Sequence, residues 1–96
     1  MLDKSMLSSV ATQLMSGDQV EVEGQRLRVR RTSSGRFRTV NFVMVGDEFA
    51  AIEQNPDKPS RWGQLARSGH HVVQFKDSAS NRFVAVAVDG KVTEAT

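Results

Sequence analysis

The tightest constraint on this chain is a pair of short alternating runs that meet at Glu23-Gly24. Before the glycine, Gln19, Glu21 and Glu23 alternate with Val20 and Val22. After it, Arg26 and Arg28 alternate with Leu27 and Val29. Period-two alternation is the spacing of a β-strand with one buried face. A two-residue turn at Glu23-Gly24 pairs Val22 with Gln25, Glu21 with Arg26, Val20 with Leu27 and Gln19 with Arg28. Apolar then meets apolar, and acid meets base. A slip of one residue would carry the valines to the wrong face, so this register is strongly specified.

The second arm of that hairpin also carries the charge. Residues 26–38 read Arg-Leu-Arg-Val-Arg-Arg-Thr-Ser-Ser-Gly-Arg-Phe-Arg, holding six of the 13 Lys and Arg residues and no acid. Thr32-Ser33-Ser34-Gly35 is a turn cluster. A turn of two or four residues there keeps Leu27 and Val29 on one face with Arg38, Val40, Phe42 and Met44. Gly46-Asp47 reads as another two-residue turn, which sets Met44 opposite Phe49 and Phe42 opposite Ala51. The result is a four-stranded antiparallel meander with a core face of Val20, Val22, Leu27, Val29, Val40, Phe42, Met44, Phe49 and Ala51. The other face is basic at one end. Further along it carries Val43, Val45, Ala50 and Ile52, which a helix, the last hairpin or a second subunit must cover.

Helices are expected on either side of the meander. In residues 3–16, Leu7, Val10, Ala11 and Leu14 fall at i, i+3, i+4 and i+7, an apolar stripe that ends before Gly17. Lys4 is the one base on the polar face, so the stripe suits a sheet better than an anionic membrane. The connector over residues 53–60 holds both prolines. Ser60 then caps a short helix running to about residue 68, with Trp62, Leu65 and Ala66 on one side and Gly69 at its end. Residues 71–77 and 82–89 make a final hairpin across Ser78-Ala79-Ser80-Asn81, placing Val73 and Phe75 with Val84, Val86 and Val88. The run Phe83-Val84-Ala85-Val86-Ala87-Val88 is apolar on both sides, as in a strand covered twice. Asp89-Gly90 is a turn signal, and Lys91-Val92-Thr93 adds a short edge strand.

The expected fold is therefore α+β in one domain over residues 1–96. Its order is N-terminal helix, four-stranded antiparallel meander, short helix and C-terminal β-hairpin, in one sheet of about six strands that can curl into a partly open barrel. A chain of 96 residues has room for one modest core. Its hydrophobic and charged fractions are those of a globular protein. It has no cysteine, which rules out disulfides and thiolate metal sites and suits a cytoplasmic setting. Met1-Leu2-Asp3-Lys4-Ser5 does not read as a signal peptide, and no stretch approaches a membrane span.

For function, the sequence points to charge. The net charge of +2 hides the concentration of arginine in one hairpin. Arg26, Arg28, Arg30, Arg31, Arg36 and Arg38, with Phe37 beside them, are the candidate anion-binding residues. Guanidinium groups at strand spacing can follow a nucleic-acid backbone, and an aromatic ring can stack on a base. Phe37 is the lone aromatic on that face and Glu21 lies opposite Arg26, so a solvated sheet face is the plainer alternative. No signature of a nucleic-acid-binding module is present. The expectation is a non-catalytic binding module for an anionic partner, nucleic acid foremost. The alternative is a protein-interaction or self-association domain, a homo-oligomer, that uses the Phe83–Val88 strand, the Val43/Val45/Ala50/Ile52 surface or the helix stripe.

Other residues read as structural. Trp62 is the anchor of a short helix, although Arg61, Arg67 and the histidines nearby also suit a small anion pocket. His70 and His71 are neighbours on an extended backbone and point to opposite faces, so they cannot chelate one ion; a third ligand would have to be Glu53 or Asp57. Glu53 and Asp57 form no catalytic pair, and no nucleophile elbow or phosphate-binding glycine loop occurs. No enzyme activity, cofactor or metal is expected.

Overall fold

The expected apolar stripe forms. In the computed structural model, helix α1 spans Lys4–Ser16 and buries Leu7, Val10, Ala11 and Leu14. The structure describes residues 4–17, 19–22, 24–28, 41–45, 48–54 and 60–94. Strands β1 (Gln19–Val22) and β2 (Gln25–Arg28) follow α1. They pair Val22 with Gln25, Glu21 with Arg26, Val20 with Leu27 and Gln19 with Arg28, the register that alternation demands. Gly24 takes φ +77° at the turn. The expected turn at residues 32–35, and with it the pairing of the second arm, lies outside the described residues.

Five strands make the larger sheet, a continuous antiparallel meander. They are β3 (Asn41–Val45), β4 (Phe49–Glu53), β5 (Val72–Asp77), β6 (Arg82–Val88) and β7 (Lys91–Glu94), in the spatial order β3-β4-β5-β6-β7. Among the described residues the β1–β2 hairpin is a separate two-stranded sheet, so the single sheet of about six strands is replaced by two. The five-stranded sheet is open, with β3 and β7 at its edges. The architecture is α+β with an N-terminal helix, as expected. No described helix is long and apolar enough to cross a membrane.

Two registers differ from expectation. Val45 pairs with Phe49, so three residues, not two, connect β3 to β4. Val43 and Val45 therefore take the positions opposite Ala51 and Phe49, while Phe42 and Met44 sit opposite Ile52 and Ala50. Residues 42–45 are apolar at every position, so a one-residue shift exposes nothing polar to the core and the pattern cannot choose between registers. In the last hairpin, a β-bulge lies between the pairs Phe75↔Ala85 and Lys76↔Phe83. Val73 and Phe75 consequently share their face with Ala85 and Ala87, and Val86 lies opposite Gln74. Again the run is apolar on both sides and accepts either arrangement.

One core is built on the face with Ala51, Val73, Phe75, Ala85, Ala87 and Val92, where the α1 stripe and Val20 close over it. Phe75, Val10, Val73 and Ala87 are fully shielded from solvent. The opposite face is buried too: Ala50, Ile52, Val72 and Val86 are covered within this one chain, and Gln54 beside them. The connector before α2 is described at Gln54, whose N–H donates to Val72 O and whose Nε2 donates to Ile52 O.

Helix α2 spans Arg61–Arg67 and contacts β5. Ser60 caps it as expected, its Oγ accepting from Gly63 N–H at 3.1 Å. It ends when Gly69 N–H donates to Ala66 O and His70 N–H to Leu65 O, with Gly69 at φ +98°. That is a Schellman motif, which needs a left-handed residue where glycine stands. Trp62, Leu65 and Ala66 are half-buried.

The β6–β7 turn fixes the helix to the sheet. Asp89 and Gly90 both have positive φ, at +52° and +86°, as a two-residue hairpin turn of the primed type requires. The Ser8 hydroxyl donates to Gly90 O. A Cβ at Gly90 would lie 2.5 Å from Thr12 Oγ1. Gly90→Ala therefore meets both the left-handed backbone penalty and the helix. It is expected to cost about 1–3 kcal/mol, read as a lowered urea midpoint. An unchanged midpoint would mean that α1 does not seat on this turn.

Candidate functional site

The arginine arm begins on β2. Arg26 lies opposite Glu21 and is exposed. Arg28 takes the register position opposite Gln19. Arg30, Arg31, Arg36, Phe37 and Arg38 lie outside the described residues. The structure thus places Arg26 and Arg28 two residues apart on one strand, and it does not bring the other five candidates into view.

The hairpin that carries the arm is held from the helix side. Gln13 Oε1 accepts from Glu21 N–H at 2.8 Å, and its Nε2 donates to Glu21 O at 3.0 Å. A carboxamide has the same donor and acceptor as a peptide group. Gln13 therefore occupies the outward edge of β1 as a neighbouring strand would, which blunts that edge against pairing with another chain. It also means that Glu21 faces away from β2 with its backbone groups, leaving Glu21 and Arg26 as a closely spaced non-hydrogen-bonded pair.

A second polar cluster joins the end of β4, the start of β5 and the β6–β7 turn. His70 Nδ1 and Asp89 Oδ2 are 2.7 Å apart. His71 N–H donates to Asp89 Oδ1 at 2.9 Å, and Asp89 N–H donates back to His71 O at 2.8 Å. His71 Nε2 lies 2.9 Å from Glu53 Oε2. The two histidines thus turn to different carboxylates, as neighbours on an extended backbone do. Among the described residues no group of three or more metal-ligating side chains occurs. Asp57 lies outside them.

His71 Nδ1 is buried and has no hydrogen-bond partner. That assigns the proton of the neutral ring to Nε2, where Glu53 accepts it, because a buried ring N–H without an acceptor would be the costlier arrangement. The cluster ties three segments together.

The Asp89 carboxyl is held below the ordinary carboxylate range, first by the hydrogen bond from His70 and then by that from the His71 backbone. The Asp77 carboxyl is lowered by the Ser80 hydroxyl and then by the Ser80 N–H. Carboxylates whose folded value is depressed contribute stability at pH above their unfolded value, and that contribution is lost as pH falls through the folded value. The acid limb of the stability profile, below about pH 4, is therefore expected to flatten in Asp89→Asn. Asparagine tolerates positive φ and keeps an acceptor. Urea midpoints followed from pH 6 to pH 2 check this, and an acid limb as steep as in the parent chain would exclude Asp89 as a contributor.

Of the surfaces proposed for self-association, the α1 stripe, Ala50 and Ile52 are buried in the chain's own core. In the Phe83–Val88 run, Ala85, Val86 and Ala87 are buried, whereas Phe83 and Val84 stand out at 45% and 43% exposure. The sequence does not announce that exposure, because the same apolar pattern runs through buried and exposed positions alike. Trp62 carries Arg61 over its ring at 5.0 Å, a cation–π contact that steadies a half-buried indole. Comparison of the chain with protein-family models, curated proteins and solved structures finds no match.

Proposed function

We propose that this chain is a small non-catalytic binding module that holds an anionic partner, nucleic acid foremost, on the arginine-rich arm of its first hairpin. One observation carries the reading. The β1–β2 register leaves Arg26 exposed with a single acid, Glu21, opposite it, and Arg26 is the first of six arginines within residues 26–38. The acids on β1 are too few to neutralise the arm. Arg26, Arg28, Arg30, Arg31, Arg36 and Arg38 would act by displacing counterions from phosphates, which gives affinity without reading base identity. A chain without cysteine suits the reducing cytoplasm in which such a module would work.

Titration with short single- and double-stranded oligonucleotides at two salt concentrations tests the proposal. Backbone amides of residues 26–28 are expected to shift, and affinity to fall with salt at a log–log slope of about −3 to −5. Arg26→Gln and Arg28→Gln should each weaken binding to any sequence and reduce the slope by about 1. If amide positions stay unchanged at low salt with both kinds of oligonucleotide, the arm is solvated surface and the proposal fails.

A further inference from the structure

We propose that Asp89-Gly90 is a modification site, an aspartyl step able to isomerise to isoaspartyl, which His70 and His71 hold unreactive while the β6–β7 turn stays closed. The site does not depend on the arginine arm.

The residue types set the chemistry. Asp89-Gly90 is the one Asp-Gly step in the chain. Glycine has no Cβ to hinder attack by its nitrogen on the preceding side chain. Gly90 N attacks Asp89 Cγ. The new C–N bond forms as the amide proton and a carboxyl hydroxyl leave together as water. Water then adds back to the five-membered imide at either carbonyl. Addition at Cγ restores aspartate. Addition at the main-chain carbonyl of Asp89 gives isoaspartate, whose backbone runs through the side-chain methylene. Nothing is oxidised or reduced, and water is the only co-reactant.

The closed turn opposes each requirement of that reaction. Ring closure needs a carboxyl free to rotate, but both oxygens of Asp89 are held. Oδ2 lies 2.7 Å from His70 Nδ1, and Oδ1 accepts from His71 N–H at 2.9 Å. Closure also needs Gly90 N swung toward Cγ. Asp89 instead sits at φ +52°, where a primed turn sets ψ near about +30° and turns that nitrogen away. Last, a neutral carboxyl loses hydroxyl more readily than a carboxylate, and the His70 contact holds Asp89 below the ordinary carboxylate range. The backbone is tied down as well: Asp89 N–H donates to His71 O at 2.8 Å, and the Ser8 hydroxyl donates to Gly90 O.

This protection lies at the surface. The side chains of His70 and Asp89 are 43% and 47% exposed, so a local opening that breaks these few hydrogen bonds frees the step without unfolding the core. The product does not fit the closed turn. Isoaspartate adds a methylene to a two-residue turn, and a Cβ at Gly90 would already lie 2.5 Å from Thr12 Oγ1. Isomerisation therefore unseats α1. It also leaves a free α-carboxylate, the substrate class of a carboxyl methyltransferase.

The test ages the parent, His70→Ala and Ser60→Ala in buffer, and the parent also in urea. Isoaspartate is counted with an isoaspartyl carboxyl methyltransferase and placed by peptide mapping. Ser60→Ala lowers stability through the α2 cap, away from the turn. Isomerisation at residue 89 is expected to be fastest in urea. In buffer, His70→Ala should react about 3- to 10-fold faster than the parent, and Ser60→Ala at the parent rate. The purified isoaspartyl product should show a lowered urea midpoint. No isoaspartate at residue 89 in the unfolded parent would remove the site. A parent that reacts as fast folded as unfolded would remove the protection. Equal acceleration by His70→Ala and Ser60→Ala would assign protection to the fold as a whole and overturn the role of the histidine contact. A product with the parent midpoint would overturn the coupling to α1.

Discussion

Helix α1 closes the core through Leu7, Val10, Ala11 and Leu14, and it packs against β1, β6 and β7. The stripe covers Phe75, Val73, Ala85, Ala87 and Val92. It also brings Val20 of the first hairpin into the same core. A two-stranded hairpin is marginal alone in water. Here its buried valine and the Gln13 carboxamide on its outer edge fasten it to the helix instead. Small residues on β6, Ala85 and Ala87, lie in the core that the helix covers. Gly90 gives the helix a close approach at the turn, where a methyl group would strike Thr12.

Burial on both sides of the sheet explains why its middle strands tolerate almost no polarity. Ala50, Ala51 and Ile52 are consecutive and all buried, as are Ala85, Val86 and Ala87. A strand covered on both faces loses its alternating pattern. The polar groups that do enter, Gln54 and His71, spend their hydrogen bonds on Ile52 O and on Glu53. The histidine–carboxylate cluster thereby closes the end of the sheet where β4, β5 and the β6–β7 turn converge. Its hydrogen bonds join those three segments at one end of the sheet.

Of the arginines in residues 26–38, Arg26 and Arg28 are placed two residues apart on β2, with one acid, Glu21, opposite the first, and salt screening governs how far such exposed charge acts.

What the amino-acid sequence determined by itself follows from one-sided patterns. Alternation with a polar side specifies β1–β2, because a slip would bury Glu21 and Arg26. The α1 stripe, the Ser60 cap and the Gly69 and Asp89-Gly90 turns are equally local, each set by a helical period, a hydroxyl or a positive φ. The arginine arm was legible as a run of charge for the same reason. Tertiary structure decided the β3–β4 register, the bulge at Val84 and the choice of carboxylate for each histidine. In those places the chain is apolar on both sides or polar without a pattern, so neighbouring registers differ little in local preference. Packing then chooses: Ala85, and not Val84, takes the core position opposite Phe75, and Val84 is left exposed.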